Sequence, residues 1–226
     1  MKTPFEYRSR ASRAAAERVL ALCDQGKVVL SLGGGPLRLH PKLTTLNIER
    51  FENVDIVGDA HGLPLASDSI DAVHCEAVYE HLDDAPKAAA EMFRVMKPGA
   101  VGFVCTPFMQ PFHGYPSHHQ NFTVIGHAGL FERAGFEVVE KGTATGPAWA
   151  VAGVVATFLA TYPPRILRLP LRAMWRVFSD IALRPLDRRL AEREDAYILA
   201  STVYAMVRKP EKAVARPTGI EPVFPA

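Results

Sequence analysis

The sequence predicts an α/β fold: a Rossmann-like, seven-stranded, mostly parallel sheet with helices on both faces and a helical insertion before the last strand. Three observations predict it. Short apolar runs (VVLSL at 28–32, SIDAVH at 69–74, VGFVC at 101–105) alternate with helical stretches, the rhythm of right-handed parallel crossovers. The first run stops at Gly33, Gly34 and Gly35. Later runs meet acidic residues as they end, which gathers polar side chains at the carboxyl edge, where open α/β sheets bind ligands.

The elements follow in order. Residues 7–24 are alanine-rich and helical in character, and Gly26 stops them, so 1–26 is read as an N-terminal helix. This segment lacks the apolar core of a secretory signal, and Glu6 and Glu17 speak against a transit peptide. Lys27–Leu32 is strand one, Thr44–Ile48 strand two and Asp55–Val57 a brief strand three. Few residues separate Gly35 from strand two, and Pro36 and Pro41 are among them, so that crossover helix is short or absent. Ser69–His74 is strand four. Ala85–Met96 is helical and ends at Lys97-Pro98-Gly99. Val101–Cys105 is strand five, Thr123–Ala134 a helix stopped by Gly135, and Phe136–Glu140 strand six. The core therefore spans 27–147, with the last strand at Ile198–Val207 within 197–209. The tail at 210–226 is proline-rich, without a period, and is read as disordered.

The chain has 226 residues, 48% apolar and 22% charged, enough for one domain with a substantial core. A net charge of +2 does not argue for nucleic acid, and no basic run with interleaved aromatics occurs outside the insertion. Cys23, Cys75 and Cys105 are far apart and form no CxxC pair, which fits a reducing cytoplasm rather than a disulfide framework or a zinc site.

The glycines after strand one allow a ligand to lie against backbone, where a Cβ would block it. A dinucleotide fingerprint from Gly33 would need glycine at Arg38, and one from Gly34 fails at Pro36. No GK[ST] follows, so a P-loop is absent. Glu49 ends strand two and can accept hydrogen bonds from ribose hydroxyls; Asn47 is the local alternative. Asp59, in VGDAHGLP, follows strand three, and His61 either covers a ligand ring or fills the loop. Glu76, in HCEAVYEHL, is the nearest ionisable residue after strand four. The loop at 106–123, TPFMQPFHGYPSHHQNFT, carries His113, His118 and His119 among aromatics, the character of a lid over an acceptor. His118 and His119 are adjacent and no carboxylate or cysteine lies nearby at ligand spacing, so no metal is predicted.

VLSLGGGPL, together with VGDAHGLPLASDSIDAV, resembles class I S-adenosylmethionine (SAM)-dependent methyltransferases, in particular the type 11 group. The resemblance covers roughly 27–142 and the last strand near 197–208. It implies SAM as cofactor, with Gly33 and Gly35 at the diagnostic glycine positions. It implies that Glu49 meets the ribose hydroxyls, Asp59 the exocyclic adenine amine, and the Ala60 backbone N–H the ring. Ser31 stands where the family usually has an acid and Leu37 where a third glycine is common. In this fold Glu76 faces the methyl group, which makes it both a cofactor contact and a catalytic candidate. His113 and His119 are candidate general bases, and the family's Glu80-His81 pair is structural. Similar PF.QP.H.YP loops occur in members found with glycan-building enzymes. The expected activity is methyl transfer to a small-molecule or lipid-linked glycan acceptor in the cytoplasm. The alternative is a non-catalytic protein of this fold that docks a membrane or partner.

The segment at 148–196 departs from the fold's usual rhythm. Ala148–Tyr162 is strongly apolar but shorter than the roughly 20 residues of a membrane span. Within 163–190, Arg168, Arg172 and Arg176 share one helix face, with Leu171, Trp175, Phe178 and Ala182 on another. Such a helix serves as a substrate cap, a homodimer interface or a peripheral membrane contact.

Overall fold

The computed structural model describes residues 7–35, 38–114 and 117–211. Seven strands form one sheet: β1 (Val29–Leu32), β2 (Thr44–Asn47), β3 (Ile56–Val57), β4 (Ile70–Glu76), β5 (Met96–Pro107), β6 (Glu137–Thr145) and β7 (Thr202–Arg208). Their order is β3-β2-β1-β4-β5-β7-β6, and only β7 runs antiparallel, between β5 and β6. Helices α1 (Arg10–Leu20), α2 (Ala85–Val95) and α3 (Val124–Ala134) cover the two faces. One face packs against α2 and α3 through Val73, Met92 and Phe131, the other against α1 through Ala15, Val19 and Phe103. Among the described residues no helix joins β1 to β2, as the two prolines predict.

Several boundaries differ from the sequence reading. The first helix begins at Arg10 rather than residue 7. The Ser9 hydroxyl accepts from the Ser12 N–H at 3.2 Å, capping the helix, while the Ser9 N–H donates to Ala144 O at 2.8 Å. Tyr7 and Arg8 thus precede the helix. The Lys97-Pro98-Gly99 stop is part of β5: Ile70 pairs with Met96 but Ala72 pairs with Val101, so the intervening residues bulge out. Gly99 supplies the positive φ of +80° that this bulge needs. β6 continues to Thr145, because its polar second half, KGTAT, pairs with β7 although it carries little apolar signal. β7 starts at Thr202; Tyr197 and Ile198 lie in an exposed helical turn before it. The predicted disordered tail falls almost wholly outside the described residues.

The insertion comprises α4 (Pro147–Thr161), α5 (Arg165–Phe178), a π-helical turn at Ser179–Leu183 and α6 (Arg184–Leu190). It leaves the sheet after Thr145 and rejoins it at Thr202, residues paired in register with hydroxyls 2.9 Å apart. Asp187 of α6 is 2% exposed and accepts from the N–H groups of Gly146 (3.0 Å) and Ala148 (2.8 Å), capping α4 from inside the protein. The Trp175 indole N–H donates to Ala152 O at 3.1 Å and docks α5 on α4. The predicted apolar stripe is only partly inward. The inward line is Arg168, Leu171, Trp175 and Ser179, which leaves Phe178 and Ala182 exposed beside it. None of α5 is fully buried except at its Ser179 cap, and Ile166, Leu169 and Val177 form a second, solvent-facing apolar row.

Asp187→Ala is expected to destabilise the protein by about 1–3 kcal/mol, the cost of leaving buried donors unsatisfied. Urea unfolding measures this, and limited proteolysis should cut first within 147–201. Asp187→Asn, which keeps one acceptor oxygen, should fall between the two.

Candidate active site

The site grows from the carboxyl ends of the strands. Gly33 follows β1 with φ +75°, and a Cβ there would sit 2.1 Å from the Val78 side chain, so only glycine fits. Gly35 faces open space. The Asn47 amide donates to Gly34 O at 2.9 Å, and its Oδ1 accepts from the Glu49 N–H at 3.1 Å. Asn47 therefore holds the glycine turn, and Glu49 is the exposed acid at the end of β2. After β3, Asp59 accepts from the His61 N–H at 2.9 Å, and the His61 ring lies 2.7 Å away. These bonds, the backbone one first, hold the Asp59 carboxyl below its ordinary range. His61 also lies 3.2 Å from Asp83, so it bridges two acids instead of projecting over the strand ends. Ala60 is buried beside them.

At the end of β4 the chain turns through Ala77, which has φ +52° without being glycine. A cavity of about 320 Å³ opens there, lined by Arg8, Glu76, Glu80, His113, Trp149 and Thr202 among others. A larger hollow of about 490 Å³ lies within the insertion against Trp175 and Arg184. It offers no acid or base other than arginines, so the chemistry belongs to the cavity at the strand ends. Glu76 is ion-paired with Arg8, and His74 Nε2 lies 2.9 Å from its other oxygen. Burial alone would raise the Glu76 carboxyl, but the His74 hydrogen bond and the charges of His74 and Arg8 outweigh it and hold it low. Glu80 is the opposite case. It is 1% exposed, no hydrogen bond from another described residue reaches either oxygen, and burial pushes it up to about 7.

Of the predicted catalytic candidates, Glu76 and His113 line one cavity, while His119 is exposed outside it. The cofactor candidates Gly33, Gly35, Glu49, Asp59 and Ala60 lie at the ends of β1, β2 and β3. Leu37 and Tyr115 are outside the described residues. Arg8, Trp149 and Thr202 were not found in the sequence. Each reaches the cavity from a segment remote in the chain, and no spacing links them. Glu80 was visible only as half of a structural pair, and its burial is a tertiary property.

Arg8→Ala is expected to cost about 1–3 kcal/mol at pH 7, the range for losing a hydrogen bond to a charged group. A carboxyl held low when folded contributes stability above its unfolded value, about 4.3, and that contribution is lost as pH falls through the lower folded value. The gap between wild type and variant should therefore be full at pH 7 and shrink below pH ~4. Urea unfolding at both pH values checks this; an unchanged gap would show that Arg8 acts by packing over the Phe103 ring, 5.5 Å away.

Comparison with known proteins agrees with this architecture. Residues 37–104 match the family described as a methyltransferase domain. A Mycolicibacterium smegmatis protein, provisionally named an S-adenosylmethionine-dependent methyltransferase, is 38% identical over 145 residues. That match covers 58% of this chain and 56% of the relative, so the chain spans a little over half of the relative's length. A Galdieria sulphuraria structure provisionally named a sarcosine dimethylglycine methyltransferase superposes with a TM-score of 0.55 at 14% identity, covering 89% of this chain and 86% of that one. The Burkholderia thailandensis 1,6-didemethyltoxoflavin-N1-methyltransferase, solved with its acceptor and S-adenosylhomocysteine, gives a TM-score of 0.51 at 15% identity, covering 89% and 79%. These structural likenesses speak for the fold. The core of the chain thus carries the fold of class I methyltransferases, and residues 37–104 within it match the methyltransferase-domain family.

Proposed function

We propose that this protein is a SAM-dependent methyltransferase acting on a hydroxyl- or amine-bearing small molecule or glycan. One observation carries the reading: the glycine turn after β1, with exposed acids at the neighbouring strand ends, packs against Val78, next to the Ala77 turn that lines the cavity at the ends of β4 and β5. A ligand with a ribose and an amino-acid end suits the first half, and an acceptor suits the second. The open space over Gly35 leaves room for the cofactor's backbone-hugging portion. The ionised Asp59 and the exposed Glu49 are acceptors for the amine and hydroxyl donors of an adenosine.

When bound, SAM supplies an electrophilic methyl group on a sulfonium. The chain's own contribution is mainly alignment, which is most of what an in-line displacement needs. In this reading Gly33 and Gly35 admit the ligand, Glu49 holds the ribose, and Asp59 and the Ala60 N–H hold the base. Glu76, kept ionised by Arg8 and His74, presents negative charge where the sulfonium would lie. His113 takes the proton of an acceptor hydroxyl. His119, being exposed, is assigned no proton transfer. The polar walls given by Gln110, Thr145 and Thr202, with Trp149 as an apolar plate, favour a sugar-like acceptor.

A second reading concerns the insertion. Ile166, Leu169 and Val177 are 84%, 75% and 59% exposed on a helix that also carries a row of arginines. We infer that this face rests on an anionic membrane surface, where apolar burial and charge attraction add. Among the described residues no helix is long and apolar enough to cross a membrane. The insertion starts and ends at the cavity, so surface contact would bring a lipid-linked acceptor to the site.

Two measurements test these readings. Titration with S-adenosylhomocysteine by calorimetry should show one site, weakened at least ~10-fold in Asp59→Ala and Glu49→Ala, the size of one charged hydrogen bond. No binding by folded protein would overturn the methyltransferase reading. In flotation, the wild type should rise with vesicles containing anionic lipid, and an Ile166→Ser, Leu169→Ser, Val177→Ser variant should not. Equal flotation, or loss of a dimer in the variant, would instead assign that face to self-association or to nothing.

A further inference from the structure

The sequence gives no metal-ligand spacing, yet the fold assembles a ligand set from two distant segments. Glu80 and His81 come from the turn after β4, and His113 from the long loop after β5. One ligand atom from each lies within 4.8 Å of the others. Glu80 Oε1 is 3.7 Å from His81 Nε2. Two ligand atoms held tetrahedrally about 2.0–2.1 Å from one zinc ion lie ~3.3 Å apart, so little motion is needed.

The hydrogen bonds around the cluster fix which nitrogens are free. His81 Nδ1 contacts the Ser117 carbonyl oxygen, and His113 Nδ1 lies 3.2 Å from the Pro111 carbonyl oxygen. A carbonyl can only accept, so both rings carry their proton on Nδ1, which in a neutral imidazole leaves Nε2 with its lone pair. This is the outer-shell arrangement that orients metal-ligating histidines. His118 is excluded by the same reasoning. Its Nδ1 accepts from the His113 N–H at 3.2 Å, and its Nε2 is 2.8 Å from Asn121 Oδ1, so both nitrogens are occupied. The third member is the buried Glu80, whose oxygens receive no hydrogen bond from another described residue. A carboxylate buried without a partner is costly unless something pairs it, and a cation between it and two imidazole lone pairs would do so.

We propose that Glu80, His81 and His113 bind a divalent transition metal of the zinc class at the wall of the acceptor cavity. Two histidines and a carboxylate are three protein ligands, which leaves a position open, the pattern of catalytic rather than structural zinc. Both Glu80 and His113 line the cavity, so that position faces the place proposed for the acceptor. A hydroxyl bound there would lose its proton more readily, and His113 would act through the metal instead of as a free base. Metal binding itself does not depend on the methyltransferase reading.

The test uses chelator-stripped full-length protein. Zn²⁺ is titrated in competition with a chromophoric chelator, and Co²⁺ serves as the spectroscopic reporter. The expected result is one Zn²⁺ per chain and a visible Co²⁺ spectrum of low-coordinate type. His113→Ala and Glu80→Gln should each weaken binding by more than the ~10–100-fold typical of losing an outer-shell partner. His119→Ala should bind as wild type. Circular dichroism of each variant reports folding, and His113→Ala changes only a half-exposed loop residue, so it keeps the test informative if Glu80→Gln unfolds. No stoichiometric binding, a hexa-aqua-like Co²⁺ spectrum, or equal binding by His113→Ala would overturn the site. None of these outcomes bears on the methyltransferase reading, which S-adenosylhomocysteine binding tests separately.

Discussion

The antiparallel β7, wedged between β5 and β6, is the constraint from which the rest of the site follows. Its direction places Thr202 opposite both Pro107 and Thr145, at the edge where the parallel strands deliver their carboxyl ends. Any segment joining β6 to β7 must therefore leave and return at that edge. The insertion does so, and its first helix contributes Trp149 to the cavity wall. The Asp187 cap closes the excursion on itself, and the added helices leave the sheet just after a register irregularity between Thr143 and Thr145. A fold shared with many proteins thus carries an added wall on the cavity at its strand ends.

Two carboxylates near that edge, one half-buried and one buried, are handled in opposite ways. Glu76 has Arg8 and His74 beside it and is held low; Glu80, four residues on, is buried with no hydrogen bond from another described residue and is pushed up to about 7. Glu80 sits inside the helical turn Tyr79–His81, next to the fully buried Tyr79. The first arrangement stabilises the folded chain at neutral pH. The second costs stability, which is the usual sign of a group kept for binding or chemistry.

The sequence was most legible where one local rule decided the structure. Strand one was readable because an apolar run met three glycines, and α3 because Thr123 caps it and Gly135, at φ +107°, ends it. The mostly parallel sheet followed from the alternation of elements. Legibility failed where pairing or burial overrode local signal. The polar half of β6 is a strand only because β7 lies beside it. Lys97-Pro98-Gly99 reads as a helix stop, yet it is also a bulge that Lys209 closes from the far end of the chain, through a 2.8 Å bond from the Gly99 N–H. Among the candidate site residues, those at or just after their strand ends (Gly33, Glu49, Asp59, Glu76) could be named from position together with the family resemblance. Arg8, Trp149 and the Glu80–His81–His113 cluster could not, because their neighbours are set by the tertiary fold.

Cys23, Cys75 and Cys105 are all free and all buried, one against α1 and two in the strands that carry the site. Burial pushes Cys105 up to about 12 and Cys75 well above its ordinary range, so neither forms the reactive thiolate while the sheet is closed. Cys105 borders the cavity, whereas alkylation at Cys75 and Cys23 needs opening of the structure. The protein thus contains two native conformational clocks: the labelling rate at Cys75 times the parting of the central strands, and that at Cys23 the lifting of the first helix.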